Sequence, residues 1–223
     1  MEISIKKRIA GAIDTNVYYI IYGRHVLIAD PAADADGIIS DIESEGLVPS
    51  AIVITHGHYD HFGAASAVRE HFNINVYAPA GDKQLFSDLD RNASEFVHGE
   101  KSVLIPDVYI KGGVELSFAG LNMTVLDTPG HTAGGISYYI VFAKDGYSCS
   151  DERFKDISGI LVSGDTVFRG SIGRTDMPTA DSETMALTIK NVIMKLPGDT
   201  LILPGHGPYT FAGKELERNP WFK

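Results

Sequence analysis

Cysteine is nearly missing from this chain: one residue of 223, Cys149, carries a thiol. A lone cysteine closes no internal disulfide, which fits a reducing compartment. Long hydrophobic runs are missing too. The longest strongly apolar stretch without Gly or charge, Val17 to Tyr22, falls far short of the roughly 18 to 20 residues of a membrane helix. The N-terminus alternates apolar and polar residues and lacks the apolar segment of a signal peptide, so the expected location is the cytoplasm. Positive charge is also scarce, with 19 basic residues against 29 acidic ones, a formal net charge of −10 and no dense Lys/Arg run. A binder of phosphate backbones needs a basic stripe, so neither nucleic acid nor a membrane is an expected partner. The rest of the composition, 44% hydrophobic and 22% charged with 23 Gly and 10 Pro, is that of a folded domain, and the length suits one domain, residues 1–223.

Strand and helix patterns alternate along the first third. Asn16 to Ile21 and His25 to Ala29 read as strands joined at Tyr22-Gly23-Arg24. Ile38, Ile39 and Ile42 share a helical face, with Asp34 or Asp36 as N-cap and Gly46 as stop. Ala51 to Thr55 is a short apolar strand, and Phe62, Ala65, Val68 and Phe72 then recur at helical spacing. The middle is richer in strands: Val114 to Phe118 and Leu121 to Asp127 flank Ala119-Gly120 as a hairpin, followed by Ile136 to Phe142. Lys144 to Asp156 has no period and reads as an exposed polar loop, about 144–156, which holds the only cysteine. Beyond it lie a strand at Ile160 to Val162, a helix carrying Met185, Ile189, Val192, Ile193 and Leu196, and a last strand at Leu201 to Leu203. The mixture predicts a layered domain of helices and sheet.

Three of the eight histidines fall in Thr55-His56-Gly57-His58-Tyr59-Asp60-His61. Four metal-capable side chains in six residues exceed what one ion can use from so short a loop. If the loop stays extended, His56 and His58 point the same way, while Asp60 and His61 turn away at the helix start. The pattern suits two neighbouring ions. Later strand ends supply His131 after Thr128-Pro129-Gly130, Asp165 after Ser163-Gly164, and His206 after Pro204-Gly205, each with a glycine that lets the backbone pass close to a bound centre. Two ions about 3.5 to 4 Å apart with a bridging carboxylate fit five His and two Asp, and such pairs serve hydrolysis. His25, His71 and His98 read as ordinary surface residues.

The ordered set His56, His58, Asp60, His61, His131, Asp165 and His206 resembles the metallo-β-lactamase superfamily over nearly the whole chain. Gly164 to Asp176, Pro204-Gly205-His206-Gly207-Pro208 and Asn219-Pro220-Trp221 are similar to single-domain glyoxalase II-like hydrolases. The resemblance implies an α+β fold, an αββα sandwich with the metals at one edge. It also implies one ion on His56, His58 and His131, a second on Asp60, His61 and His206, and Asp165 bridging both. Asp30 resembles the family's strand-end Asp that supports a ligand loop. Two departures bear on substrate. Full-length glyoxalase II enzymes carry a helical C-terminal domain that contacts glutathione, whereas this chain ends 17 residues after His206; and Arg174 and Asp176 stand where those enzymes place Lys and Tyr.

Two divalent ions, five neutral imidazoles, two carboxylates and one hydroxide give a centre of net charge +1, attractive to an anion within an acidic chain. The expected activity is hydrolysis of a small anionic acyl or thioester substrate, such as a hydroxyacylglutathione, by metal-bound hydroxide, with Asp60 both ligating and orienting it. Arg174 is a candidate clamp for a substrate carboxylate. Zn2+ suits the N/O donor set, as do iron and manganese. The alternatives are a mononuclear iron persulfide dioxygenase of the same superfamily and a non-catalytic metal-binding module.

Overall fold

All eight residues of Thr15–Tyr22 are buried, which a strand achieves only when both of its faces are covered. The computed structural model, which describes residues 2–95, 102–142 and 146–223, shows what covers them. Val17, Tyr19 and Ile21 face Ile38 and Ile42 of helix α1 (Ala35–Ser44) and Val68 of α2 (Ala65–Phe72). Tyr18, Ile20 and Tyr22 face the other way, into a core shared with Val125, Tyr138 and Ile140. The period of two splits one apolar strand between two cores.

Strands β1 (Glu2–Ala10), β2 (Thr15–Tyr22), β3 (His25–Ala29), β4 (Val48–Val53), β5 (Val76–Pro79) and β6 (Val108–Ile110) build a first sheet. Strands β7 (Glu115–Phe118), β8 (Leu121–Asp127) and β9 (Ile136–Val141) begin a second, after which β10 (Ser148–Cys149) returns to the first. β11 (Gly159–Gly164), a small hairpin of β12 (Val167–Phe168) and β13 (Ser171–Ile172), helix α3 (Ser182–Asn191), β14 (Leu201–Pro204), β15 (Thr210–Phe211) and helix α4 (Ala212–Arg218) complete the chain. The spatial order is β10-β1-β2-β3-β4-β5-β6 in the first sheet and β15-β14-β11-β9-β8-β7 in the second. Leu161 and Ile202 of the second sheet pack outward against Met185 and Ile189 of α3 and Ala212 of α4. The layers are therefore α, β, β, α, the expected sandwich.

Chain direction places the site. β3, β4 and β5 are mutually parallel, and β9 runs antiparallel to both β8 and β11, so β8, β11 and β14 also share a direction. The segments that follow β4, β8, β11 and β14 carry every expected ligand. At that edge the sheets are tied: Ile136 N–H donates to Thr55 O (2.9 Å), Tyr138 OH to Ile54 O (2.8 Å), and Asn16 N–H to Gly205 O (2.7 Å). α1 starts where Asp34 accepts from Gly37 N–H (3.1 Å) and stops before Gly46, as its sequence signals predict. Among the described residues no helix is long and apolar enough to cross a membrane.

One expectation is corrected in part. Most described residues of 144–156 are exposed, but the segment is not a free loop, because β10 pairs in parallel with Glu2–Ile3 and Tyr147, Cys149 and Phe154 are buried in the core between the sheets. Polar neighbours hid three apolar anchors spaced too irregularly to make a period. β10 also sits at the far end of β1, roughly 23 Å from Ala10 at about 3.3 Å per residue, and so away from the ligand-bearing edge. Phe154→Ala is expected to destabilise the fold by about 3 kcal/mol in urea unfolding. A loss below about 0.5 kcal/mol, usual for a surface position, would contradict this packing.

Candidate metal centre

After β4 the chain bends over residues 55–57, is extended at His58 (φ −83°, ψ 141°) and tightens into a 3-10 turn over Tyr59–His61. The side chains separate into the expected groups, although the loop reaches them through a bend rather than an extended run. His56 and His58 meet His131, Asp60 and His61 meet His206, and Asp165 stands between the two groups. Asp165 Oδ1 is 3.3 Å from His61 Nε2, while its Oδ2 is 3.6 Å from His131 Nε2 and 3.4 Å from His206 Nε2. Asp60 Oδ2 lies 3.2 Å from His61 Nε2 and 3.3 Å from His206 Nε2. All seven expected ligands are thus brought together. Glycine is needed for this approach: a Cβ at Gly205 would lie 2.2 Å from Asp165 Oδ1, and one at Gly164 2.3 Å from Thr55 Oγ1.

The outer nitrogen of four imidazoles is already engaged. Nδ1–H of His61 donates to Asp30 Oδ2 (2.9 Å), that of His131 to Arg174 O (2.8 Å) and that of His206 to Ile13 O (3.1 Å). Thr55 Oγ1 gives its own proton to Asp30 Oδ2 (2.7 Å), so it accepts from His56 Nδ1–H (3.1 Å). Each of these rings therefore turns Nε2 inward. His58 is reversed, with Nδ1 3.0 Å from His131 Nε2. Nε2 of His56 is buried without a hydrogen-bond partner, an orphan that a protein interior does not ordinarily keep. Ring orientation by an outer acceptor and an unpaired inner lone pair is the arrangement of metal-ligating histidine. The donor set fits divalent ions.

Electrostatics divides the metal-free cluster. Burial, reinforced by the neighbouring histidines, drives His56 well below its ordinary pKa and His58 down to about 3, so both offer neutral lone pairs. Burial acts the same way on His206, but the facing Asp165 and Asp60 outweigh it and raise that ring to about 10. His61 is raised for the same reason. Burial alone would lift Asp60 and Asp165, yet the charge on His61 holds both well below the usual carboxylate range. Ions here would replace those protons as counter-charge for the two carboxylates.

Asp30, expected to support a ligand loop, makes its contacts at the start of that loop and at one of its histidines. Its left-handed backbone (φ 50°), strained for a non-glycine residue, aims a buried carboxylate at Thr55 N–H (2.8 Å), Thr55 Oγ1 and His61 at once. Arg174 lines the cavity over the centre, but its guanidinium pairs with Asp176 through Nε (2.7 Å) and Nη2 (3.0 Å), and it is the backbone carbonyl that meets His131. His25 and His71 lie away from the cluster, near Ser50 and Glu43, and His98 falls outside the described residues. Sequence reasoning missed Thr15, whose Oγ1–H donates to Asp60 Oδ2 (3.1 Å), and Asn16, whose amide donates to Pro204 O (2.8 Å) and Gly207 O (2.9 Å) around His206. Both lie at the start of an apolar strand, where no motif marks them.

A four-layer fold with a His/Asp cluster at the joint edge of two sheets defines a class, and the comparisons agree. Residues 10–149 match the metallo-beta-lactamase superfamily, Lactamase_B, and the chain belongs to it. It is 36% identical to the "Probable metallo-hydrolase YqgX" of Bacillus subtilis over 95% of this chain and 93% of that protein. It is 34% identical to the "Hydroxyacylglutathione hydrolase GloC" of Haemophilus influenzae over 89% and 87%. Among solved structures it resembles the BLEG-1 B3 metallo-beta-lactamase, with a TM-score of 0.86, 34% identity and coverage of 98% and 99%.

Asp30→Ala leaves Thr55 N–H and His61 Nδ1–H without their acceptor. A loss of about 10- to 100-fold in metal affinity is expected, the usual effect of removing an outer partner. Chelator competition measures it, and unchanged affinity would refute the supporting role.

Proposed function

We propose that this chain is a dinuclear metal-dependent hydrolase that cleaves a small thioester of the hydroxyacylglutathione type. The observation that carries this is the Asp165 carboxylate standing between two three-donor groups, within 3.3 to 3.6 Å of His61, His131 and His206. Two divalent ions in such groups supply Lewis acidity toward a carbonyl oxygen and a water acidic enough to deprotonate near neutral pH. The chain supplies position. Asp60, held by Thr15, faces the cavity, where its carboxylate accepts a hydrogen bond from the attacking water and turns that water toward the acyl carbon. No Ser or Cys nucleophile is required. The cavity, about 350 Å³, is walled by Ile13, Ala93, Met177 and Arg174 above His58, Asp60, His131, Asp165 and His206, room for a small acyl group with an apolar flank. Arg174 is the cation placed to meet a substrate carboxylate, in competition with Asp176.

The thioester assignment draws on the likeness to the hydroxyacylglutathione hydrolase and on an N/O centre that attracts anions. The second reading is the persulfide dioxygenase, which would use one iron and oxygen. Metal content separates the two. Protein made without added metal and then loaded is expected to hold two ions, to hydrolyse thioesters and to consume no oxygen with glutathione persulfide. One iron with oxygen uptake would reverse the assignment, and faster turnover of a β-lactam than of any thioester would move the substrate class.

Asp165→Ala removes the anion between two cations. It is expected to leave one ion or fewer by elemental analysis and to abolish hydrolysis; two ions with near-normal turnover would exclude the bridge. On substrate, Arg174 is, among the described residues, the one Lys or Arg lining the cavity and is already paired with Asp176, so few described groups remain to hold a tripeptide. Lactoylglutathione is therefore expected to exceed a shorter thioester of the same acyl group by less than about a hundredfold in kcat/KM, roughly 2.7 kcal/mol of transition-state stabilisation. A larger ratio would reveal a dedicated glutathione pocket.

A further inference from the structure

Outside the seven clustered side chains lies a buried carboxylate that, among the described residues, is held by two backbone N–H groups and a hydroxyl and by no salt bridge. Asp82 sits in the 3-10 turn Ala80–Asp82 after β5 and is 1% exposed. Its Oδ2 accepts from Gly57 N–H (2.9 Å) and Thr132 Oγ1–H (2.7 Å), and its Oδ1 from Gly134 N–H (2.7 Å). Gly57 is the residue between His56 and His58, and Thr132 follows His131. One carboxylate therefore joins the two segments that carry the three-histidine group, one from each sheet. The backbone is shaped to allow it: a Cβ on Gly134 would lie 2.2 Å from Asp82 N, and one on Gly81 2.5 Å from Gly134 Cα.

The other group is held by different residues. Asp60 accepts from Thr15, while His61 donates to Asp30 and His206 donates to the carbonyl of Ile13. None of these reaches Asp82.

We propose that Asp82 is the positioning residue of the His56, His58 and His131 group, fixing the separation of its two loops, and that it acts on that group separately from the Asp60, His61 and His206 group. This rests on the seven side chains being a two-ion centre and is independent of the substrate. With Asp82 gone, two backbone N–H groups and a hydroxyl lose a shared acceptor, and the loop of His131 loses the bonds that join it directly to the residue between His56 and His58.

The test is stepwise Zn2+ affinity by chelator competition, with Co2+ absorption spectra to tell the sites apart and melting of the metal-free proteins as a check on folding. Asp82→Ala is expected to weaken one ion by about 10- to 100-fold while sparing the other. Thr15→Val is expected to weaken the other ion, so that the Co2+ bands lost in the two variants differ. Asp82→Asn keeps the carboxamide oxygen for Gly57 and Thr132 but sets an NH2 against Gly134 N–H. It should fall between wild type and Asp82→Ala, and it serves in place of Asp82→Ala if that variant does not fold. Wild-type affinity at both sites in the Asp82 variants, or equal weakening of both sites, would overturn the proposal. If the wild-type chain itself binds fewer than two ions, the two-ion reading fails instead.

Discussion

The convergence of five imidazoles and two carboxylates on one small volume is the constraint that the rest of the molecule serves. Left to themselves these groups repel or collapse into ion pairs, and burial penalises each charge. The chain meets this by spending outer atoms. Asp30, Thr55, Arg174 O and Ile13 O each take an outer N–H, so the inner lone pairs have no freedom to turn away. Four of the five rings are fixed in this way, and that satisfied part of the network is rigid enough for His56 to keep a buried unpaired nitrogen.

Such a network needs contributions from many points of the chain at one place, which the two-sheet sandwich provides. Strands of common direction in each sheet deliver their following segments to the same edge, and the second sheet supplies His131, Asp165 and His206 to the loop from the first. The β1–β2 hairpin closes the arrangement: Thr15 touches Asp60, Asn16 binds on both sides of His206, and Ile13 orients the His206 ring and walls the cavity. One hairpin thus links the centre to the space where a substrate would sit.

The ligands were legible because metal binding imposes dense, rare spacing on His and Asp, and because the 3-10 turn at Tyr59–His61 divides Asp60 and His61 from His56 and His58. Most strands and helices were legible for a similar reason, as with Ile38 and Ile42 on α1. The split into two sheets was not written in periodicity: β2 is apolar at nearly every position, and alternation cannot say which face meets helices and which meets another sheet. Tyr147, Cys149 and Phe154 stayed hidden because anchors in an irregular segment have no period at all. Asp82 and Thr15 were invisible for another reason: a hydrogen bond between residues 25 to 50 apart leaves no local trace in a single sequence.

The division between a fixed centre and its wall explains how one superfamily accommodates different substrates. The ligand segments follow core strands and are tied by buried bonds, so their geometry resists change. The wall is different: Ile13 is half exposed on a hairpin tip, Ala93 lies in a loop with left-handed backbone, and the Arg174–Asp176 pair stands in solvent. An exposed ion pair contributes little to stability, so these positions can vary without loss of the fold. The chain carries net charge −10, yet its loaded centre would be cationic, which makes a positive focus within an acidic surface. Under the proposed function that focus would draw an anionic acyl compound of suitable size. Discrimination among such compounds would then fall to the wall, and above all to whether Arg174 met the substrate or stayed with Asp176.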